Sequence, residues 1–246
     1  LIDVANPDED FSLAVYCRLA TEAIKAIQQK SKLPLLVGGS GLYVWSLVEG
    51  WKIPMVSPNP QLRHDLEIRA KQESGYVLYQ ELQRIDPIAA TKIHPSNTRR
   101  IIRALEIYQM TGQLPSQLWR KEAPNFPILV IGLTTERNEL YRKIDRRVDK
   151  MIEDGFIEEV KRLLQKGYSL SLPSMSGIGY KQMGSFLQDE MTLPMVIDKI
   201  KYETHRLVRH QYAWFRPSDV RIHWLDAGRP FAILSEAKNL VESFLL

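Results

Sequence analysis

Cysteine is nearly absent from the 246 residues, and Cys17 is the single one. That excludes an internal disulfide and any metal site built from thiolates, and it fits a reducing compartment. At its helical position Cys17 reads as a small buried apolar residue. No apolar run approaches the ~20 residues that span a bilayer, and no signal peptide is visible at the start. Histidine is sparse too: His64, His94, His205, His210 and His223 show no H-x-x-H or H-E-x-x-H spacing. No metal-binding residues are therefore assigned. Repeats and low-complexity stretches are also missing. A large excess of one charge is missing as well, with 33 basic against 29 acidic residues, a net +4. An anionic partner is compatible with that balance and not demanded by it.

What is present is ordinary globular composition, 44% hydrophobic and 25% charged. The length suits one large domain or a domain with a smaller insertion. The cations are unevenly placed. Arg99, Arg100 and Arg103 cluster, as do Arg142, Lys143, Arg146 and Arg147, and again His205, Arg206, Arg209, His210 and Arg216. The chain opens on Leu1 and LIDV, which reads as a stretch entered from upstream.

Helical spacing runs over 10–30, with Asp10 or Ser12 placed to cap it. The apolar run 33–37 reads as a buried strand, ending in Gly38-Gly39-Ser40-Gly41 before an apolar helix over 42–48. Helix, strand, glycine turn, helix is the pattern of a parallel α/β sheet, with ligands at the carboxyl ends of strands. Prolines 54, 58 and 60 mark a crossing point, and four helix candidates follow over 65–110. Residues 126–133 read as a strand returning to the sheet. Amphipathic helices follow over 136–150 and 156–166, then a glycine-bearing loop over 167–179. A long helix spans 196–215, and a last strand 222–225. The division expected is core 1–53, helical insertion 54–120, core 121–246.

Four features are candidates for chemistry. The turn at 38–41 lets backbone approach an anionic or planar ligand, with Ser40 at a helix start. The alternative is a tight turn with Ser40 as a plain cap, and the segment is no P-loop. Arg99 and Arg103 share a helix face flanked by Arg100, a pattern suited to phosphates. The alternative is a solvated face with Glu106 pairing to Arg103 or Arg99. Ser176-Gly177-Ile178-Gly179-Tyr180-Lys181 combines close backbone, a ring able to stack on a base and a cation. The alternative is a flexible loop before a helix. The long helix places Thr204, Val208, Gln211 and Phe215 near one face, and Arg206, Arg209 and His210 on others. It reads as a basic helix facing a diphosphate or RNA, or as an amphipathic helix with a core stripe of Leu207, Trp214 and Phe215.

Taken in order, LIDVANPDEDFS, VGGSGLY, DP-x-A-A-x-x-IHP, RRIIRALE, MIEDGFIEEV, GIGYKQM and QYAWFR resemble the tRNA dimethylallyltransferase family, also called tRNA isopentenyltransferase. The resemblance covers nearly the whole chain. It implies a P-loop-kinase-like parallel α/β core with an inserted helical domain. It implies transfer of a dimethylallyl group from its diphosphate to N6 of adenosine 37, beside the tRNA anticodon, assisted by magnesium. Carried over by position, Ser40 lies by the flipped base. Arg63, the stretch Arg99, Arg100, Ile101, Ile102 and Arg103, and Ser176 to Lys181 contact tRNA. Thr204 keeps the threonine of the family's T-R pair. His205 stands where the family has the arginine linked to the diphosphate, with Arg206 and Arg209 nearby as the other diphosphate candidates. Ser40, Thr204 and His205 are thus the catalytic candidates. Histidine is neither permanently charged nor bidentate, so a weakened hold on the diphosphate is expected.

The family's P-loop and base-like aspartate would precede Leu1, so the core reads as incomplete and residues 1–246 alone are expected to be inactive. A cytoplasmic monomer without membrane contact is expected. Two other readings stay open: a tRNA-binding protein without catalysis, and a prenyltransferase acting on free adenine nucleotides.

Overall fold

The computed structural model describes residues 1–245. They divide into two compact units, one of residues 1–11, 36–42 and from 126 onward, the other of residues 12–35 and 43–125.

The second unit is helical. Helix α1 (Leu13–Gln28) is capped by Ser12, whose hydroxyl accepts from Val15 N, and not by Asp10. Its Tyr16 ring stacks on Tyr43 of α2 (Gly41–Val48), centroids 4.2 Å apart. A two-residue strand, β1 (Trp51–Lys52), precedes α3 (Pro60–Gln72), α4 (Gly75–Ile85), α5 (Pro87–Thr91), α6 (Thr98–Thr111) and α7 (Pro115–Leu118). Strand β2 (Arg120–Lys121) then pairs antiparallel with β1, and Glu122 N donates to Gly50 O. This ladder brackets the helical stretch read over 54–120.

Leu66, Leu78, Leu82, Ala89, Ile101 and Leu105 form the core of these helices. Burial at four-residue spacing, as in Leu78 and Leu82 or Ile101 and Leu105, is the physical reason the helices persist. The Asp86-Pro87 pair organises the next corner. Asp86 is buried and its carboxylate accepts from Ala89 N, capping α5, and from Ser116 N, at 2.9 and 2.7 Å. Burial alone would raise this carboxyl, but the N–H groups of Ser116, Ala89 and Ile88 outweigh it and hold it below the usual range.

The first unit carries the parallel pair. Strand β3 (Val130–Thr134) and strand β4 (Ile222–Asp226) align in parallel from Val130 opposite Ile222 to Thr134 opposite Asp226. Between them lie α8 (Arg137–Glu153), α9 (Phe156–Gln165), a 3₁₀ turn (Pro173–Ser176), α10 (Tyr180–Leu187) and α11 (Leu193–Trp214), and α12 (Pro230–Leu245) follows. Val148, Phe156, Val160, Met175, Met183, Val196 and Ile200 make the second core.

Two strand expectations change. The strand expected over 126–133 begins only at Val130, because a ladder extends no further than its five-residue partner β4. The apolar run 33–37 is not a strand: it pairs with no strand among the described residues, and Leu35 and Val37 are 80% and 84% exposed. An isolated extended segment has no ladder to make.

Among the described residues no helix is long and apolar enough to cross a membrane.

Candidate functional site

Three groups of the sequence candidates lie in the first unit. Residues 38–41 are one, with exposed Ser40 immediately before Gly41, the first residue of α2. The Ser40 hydroxyl makes no hydrogen bond among the described residues and stays available to a ligand. The C-terminal turns of α11 pack against this turn. Gln211 Nε2 donates to Gly39 O at 3.0 Å, and a Cβ placed on Gly41 would lie 2.1 Å from Trp214 Cγ. The helix so joined to Ser40 also carries Thr204, His205, Arg206 and Arg209.

Along α11 the faces divide as the spacing predicts. Thr204, Val208, Gln211 and Phe215 are half-buried, and Arg206, Arg209 and His210 are exposed. The core-stripe alternative does not hold in full, since Leu207 is 45% and Trp214 41% exposed. The Thr204 hydroxyl donates to Ile200 O, one turn back, leaving its lone pairs to accept. The His205 ring stacks on Tyr141 of α8, centroids 4.0 Å apart and planes within 10°. Its Nε2 lies 2.8 Å from Asp145 Oδ1. The approach lacks the alignment of an N–H···O bond, and neither atom has another hydrogen-bond partner. Tyr141 and Asp145, one helical turn apart, thus cradle the imidazole. Arg209 Nη1 reaches the Tyr141 hydroxyl at 3.4 Å, and Arg206 faces Glu203 at 3.7 Å. Neither Tyr141 nor Asp145 stands out in the sequence; the only signal is their four-residue spacing on one face of an amphipathic helix.

The segment 176–181 is third. Ser176, Gly177, Ile178 and Lys181 are exposed, while Gly179 is buried. Tyr180 is not an exposed stacking platform. Its ring meets Phe156 edge-on at 5.3 Å, and its hydroxyl donates to Glu159 at 2.5 Å. Burial, and then the carboxylate of Glu159, push the phenol up to about 12. Gly179 has φ +100°, and a Cβ there would stand 3.0 Å from the Phe156 ring. The Gly179→Ala variant should therefore lose about 1–3 kcal/mol of stability, read from the urea midpoint. An unchanged midpoint would contradict the strain.

The remaining candidates lie in the second unit, around Glu106 of α6. This side chain is fully buried. Arg63 of α3 grips it with two bonds of 2.9 Å, Arg103 donates to it at 2.5 Å, and Asn59 N donates at 2.7 Å. Arg103 also donates to Val56 O. Burial would raise the Glu106 carboxyl; Arg63, Arg103 and the Asn59 N–H together hold it lowered. Arg63 and Arg103 remain 38% and 32% exposed but are committed to this pair, and Arg99 takes no part in it. The side chains of Ile101 and Ile102 are in the core. Arg99 and Arg100, at the start of α6 behind its Asn97 cap, are exposed and make no ion pair among the described residues.

A shallow groove along α8 is lined by Glu139, Arg142, Asp145, Arg146 and Asp149. Its acids and bases alternate, which suits no ligand of one charge. Among the described residues no three His, Cys, Asp or Glu side chains are grouped to hold a metal ion.

Comparison with known proteins gives the family of the chain. A sequence model described as IPP transferase matches residues 1–218. The chain is 46% identical over 230 residues to a tRNA dimethylallyltransferase of Thermomicrobium roseum, covering 94% of this chain and 70% of that protein. It is 46% identical over 241 residues to the one from Herpetosiphon aurantiacus, covering 98% and 76%. Among solved structures, the tRNA isopentenylpyrophosphate transferase of Bacillus halodurans superposes with a TM-score of 0.64 at 36% identity, covering 98% of this chain and 78% of that one. A eukaryotic dimethylallyltransferase acting on tRNA superposes with a TM-score of 0.71 at 26% identity, covering 91% and 58%. The α/β fold with a helical insertion is that of these enzymes. With a family match over residues 1–218 and 46% identity to relatives across nearly its whole length, the chain belongs to the IPP transferase family.

Proposed function

We propose that this protein is a tRNA dimethylallyltransferase, moving the dimethylallyl group from dimethylallyl diphosphate to N6 of adenosine 37 in the anticodon stem-loop. The observation that carries the reading is the joining of α11 to the glycine turn through Gln211 and Trp214, which ties the diphosphate candidates to Ser40. In the reaction the N6 lone pair forms the carbon–nitrogen bond, the electron pair of the breaking allylic carbon–oxygen bond departs with the diphosphate, and the N6 proton passes to a basic group or to water. Cations aimed at the departing oxygens lower that barrier. Arg209 and Arg206 are exposed for this role, whereas His205 is turned toward Asp145. Thr204 offers acceptor lone pairs beside them. The target base is extruded to reach the allylic carbon, and Ser40 stands beside it. Arg99, Arg100 and Lys181 are the exposed cations suited to the RNA backbone. Arg63 and Arg103 contribute to RNA through the donors that Glu106 leaves free.

Magnesium belongs to the family expectation. The carboxylates of this region face His205 and Lys201, through Asp145 and Asp149. Among the described residues they form no cation site, so no step here runs through the metal. The proposal includes a monomer acting in the cytoplasm.

The test uses the protein expressed from its own gene, radiolabelled dimethylallyl diphosphate, and either an anticodon stem-loop with adenosine at position 37 or free AMP. Label on the stem-loop alone is the expected outcome. Label on AMP would favour the free-nucleotide prenyltransferase, and RNA binding without transfer would favour the non-catalytic reading. Replacing Arg99 and Arg100 by alanine should weaken stem-loop binding by about tenfold at low salt, and less as salt rises.

A further inference from the structure

The Tyr141 hydroxyl lies between two guanidinium groups. Arg137 Nε donates to it at 3.2 Å and Arg209 Nη1 at 3.4 Å. The Arg137 guanidinium also sits 5.6 Å from the centroid of the Tyr141 ring. The opposite side of the assembly is the stack of that ring on His205. Three cationic or potentially cationic side chains from two helices therefore converge on one phenol. Arg137 opens α8, three residues past the end of β3, so the group stands at the carboxyl end of a parallel strand, where such sheets bind ligands. The nearby acids are already engaged. Glu136 accepts from Asn138 N and Glu139 N, Glu139 pairs with Lys143, and Asp145 faces His205. Both arginines are exposed and reachable by an anion.

We propose that Tyr141 is a positioning residue for the diphosphate: its hydroxyl fixes Arg209 and brings Arg137 beside it, so that the two guanidinium groups bind the diphosphate as a pair. The inference rests on the transferase reading above and extends the diphosphate site to two residues of α8. Long arginine side chains lose rotamer freedom on binding, and a shared acceptor that fixes them beforehand reduces that loss. Two like charges held on one acceptor repel each other until an anion arrives, which favours occupancy by a multiply charged group. The arginines, Arg209 first, also hold the phenol below its usual range. The arrangement gives His205 a role that an imidazole fills well. Its flat ring stacks on Tyr141 and keeps the hydroxyl in place, while Arg209, one turn later on α11, supplies the permanent charge.

The test is Tyr141→Phe in the protein expressed from its own gene, which keeps the stack and removes the shared acceptor. Binding of inorganic pyrophosphate should weaken roughly tenfold, as for a hydrogen bond to a charged group. KM for dimethylallyl diphosphate should rise alike, with KM for the stem-loop and the melting temperature unchanged. Arg209→Ala should weaken pyrophosphate more, and adding Tyr141→Phe to it should cost little further, because without Arg209 the hydroxyl has no pair left to hold. Additive losses, or a Tyr141→Phe enzyme that binds pyrophosphate like the wild type, would overturn the proposal. So would a loss shared equally by both substrates together with a lower melting temperature. Wild-type protein that neither binds pyrophosphate nor transfers the group would instead sink the transferase reading itself.

Discussion

Replacing Glu106 by alanine is expected to destabilise the helical unit by about 3–5 kcal/mol, the cost of leaving buried charge without its partner. The carboxylate has no exposure, and it accepts four hydrogen bonds: two from Arg63, one from Arg103 at 2.5 Å and one from Asn59 N.

 Removing the acceptor strands two guanidinium groups and the first free N–H before α3. Glu106→Gln, which keeps the shape but not the charge, should cost less than alanine. The decisive comparison is with Arg63→Met, Arg103→Leu and Glu106→Leu combined, which removes every partner at once and should recover much of the loss. Urea midpoints at fixed pH read all three. A Glu106→Ala midpoint within error of the wild type would show that the triad adds nothing to stability.

The same carboxyl sets a pH dependence. Its folded value lies below the ordinary 4.5, after burial is outweighed by Arg63, Arg103 and Asn59 N–H. The unfolded chain therefore takes up the proton first as pH falls. The contribution is fully present above about pH 4.5 and is lost as pH drops through the depressed folded value. Asp86, lowered by N–H groups after burial is offset, acts in the same direction. The wild type should lose stability on acidification more steeply than Glu106→Gln, whose amide has no proton to take up.

Arg63 and Arg103 also mark where sequence reading reaches its limit. As residue types in a basic run they suit phosphate. Their engagement is set by an acid that stands 43 residues from Arg63, and no local pattern announces such a pair. Pairing of Glu106 with Arg103 was legible at three-residue spacing, because it is a helix-surface relation. Tyr180 was misleading for the same reason as Arg63, since Phe156 and Glu159 approach it from another helix. Periodicity served the helices well: the half-buried face of Thr204, Val208, Gln211 and Phe215 follows from 3.6 residues per turn alone. It served the run 33–37 badly. Apolar content does not create a strand without a neighbour to bond, and that information is non-local. The departure at His205 was readable as a residue change, but its consequence depended on Tyr141 and Asp145 arriving from α8.

Gly41→Ala is expected to reduce transfer by about a hundredfold, the scale on which a displacement of about 1 Å misplaces reacting groups. The added methyl would stand 2.1 Å from Trp214 Cγ and 2.4 Å from its Cβ, distances no pair of carbons tolerates. Those atoms are at the root of the indole side chain, so a change of rotamer does not carry them away. Either the end of α11 or the glycine turn has to move. A shift of the turn carries Ser40 with it and disturbs the bond from Gln211 Nε2 to Gly39 O. A shift of α11 carries Arg209 and His205 instead. Both leave the two halves of the site out of register, while overpacking of this kind costs only about 1–3 kcal/mol of stability. Trp214→Ala in the same chain makes room for the methyl. The double variant should therefore transfer faster than Gly41→Ala alone, even though the loss of the indole is itself damaging. Transfer by Gly41→Ala at the wild-type rate would mean that contact between α11 and the turn does not set the geometry of the reaction. A fall in rate that Trp214→Ala cannot relieve would assign the defect to the helix start and not to the helix that holds the diphosphate.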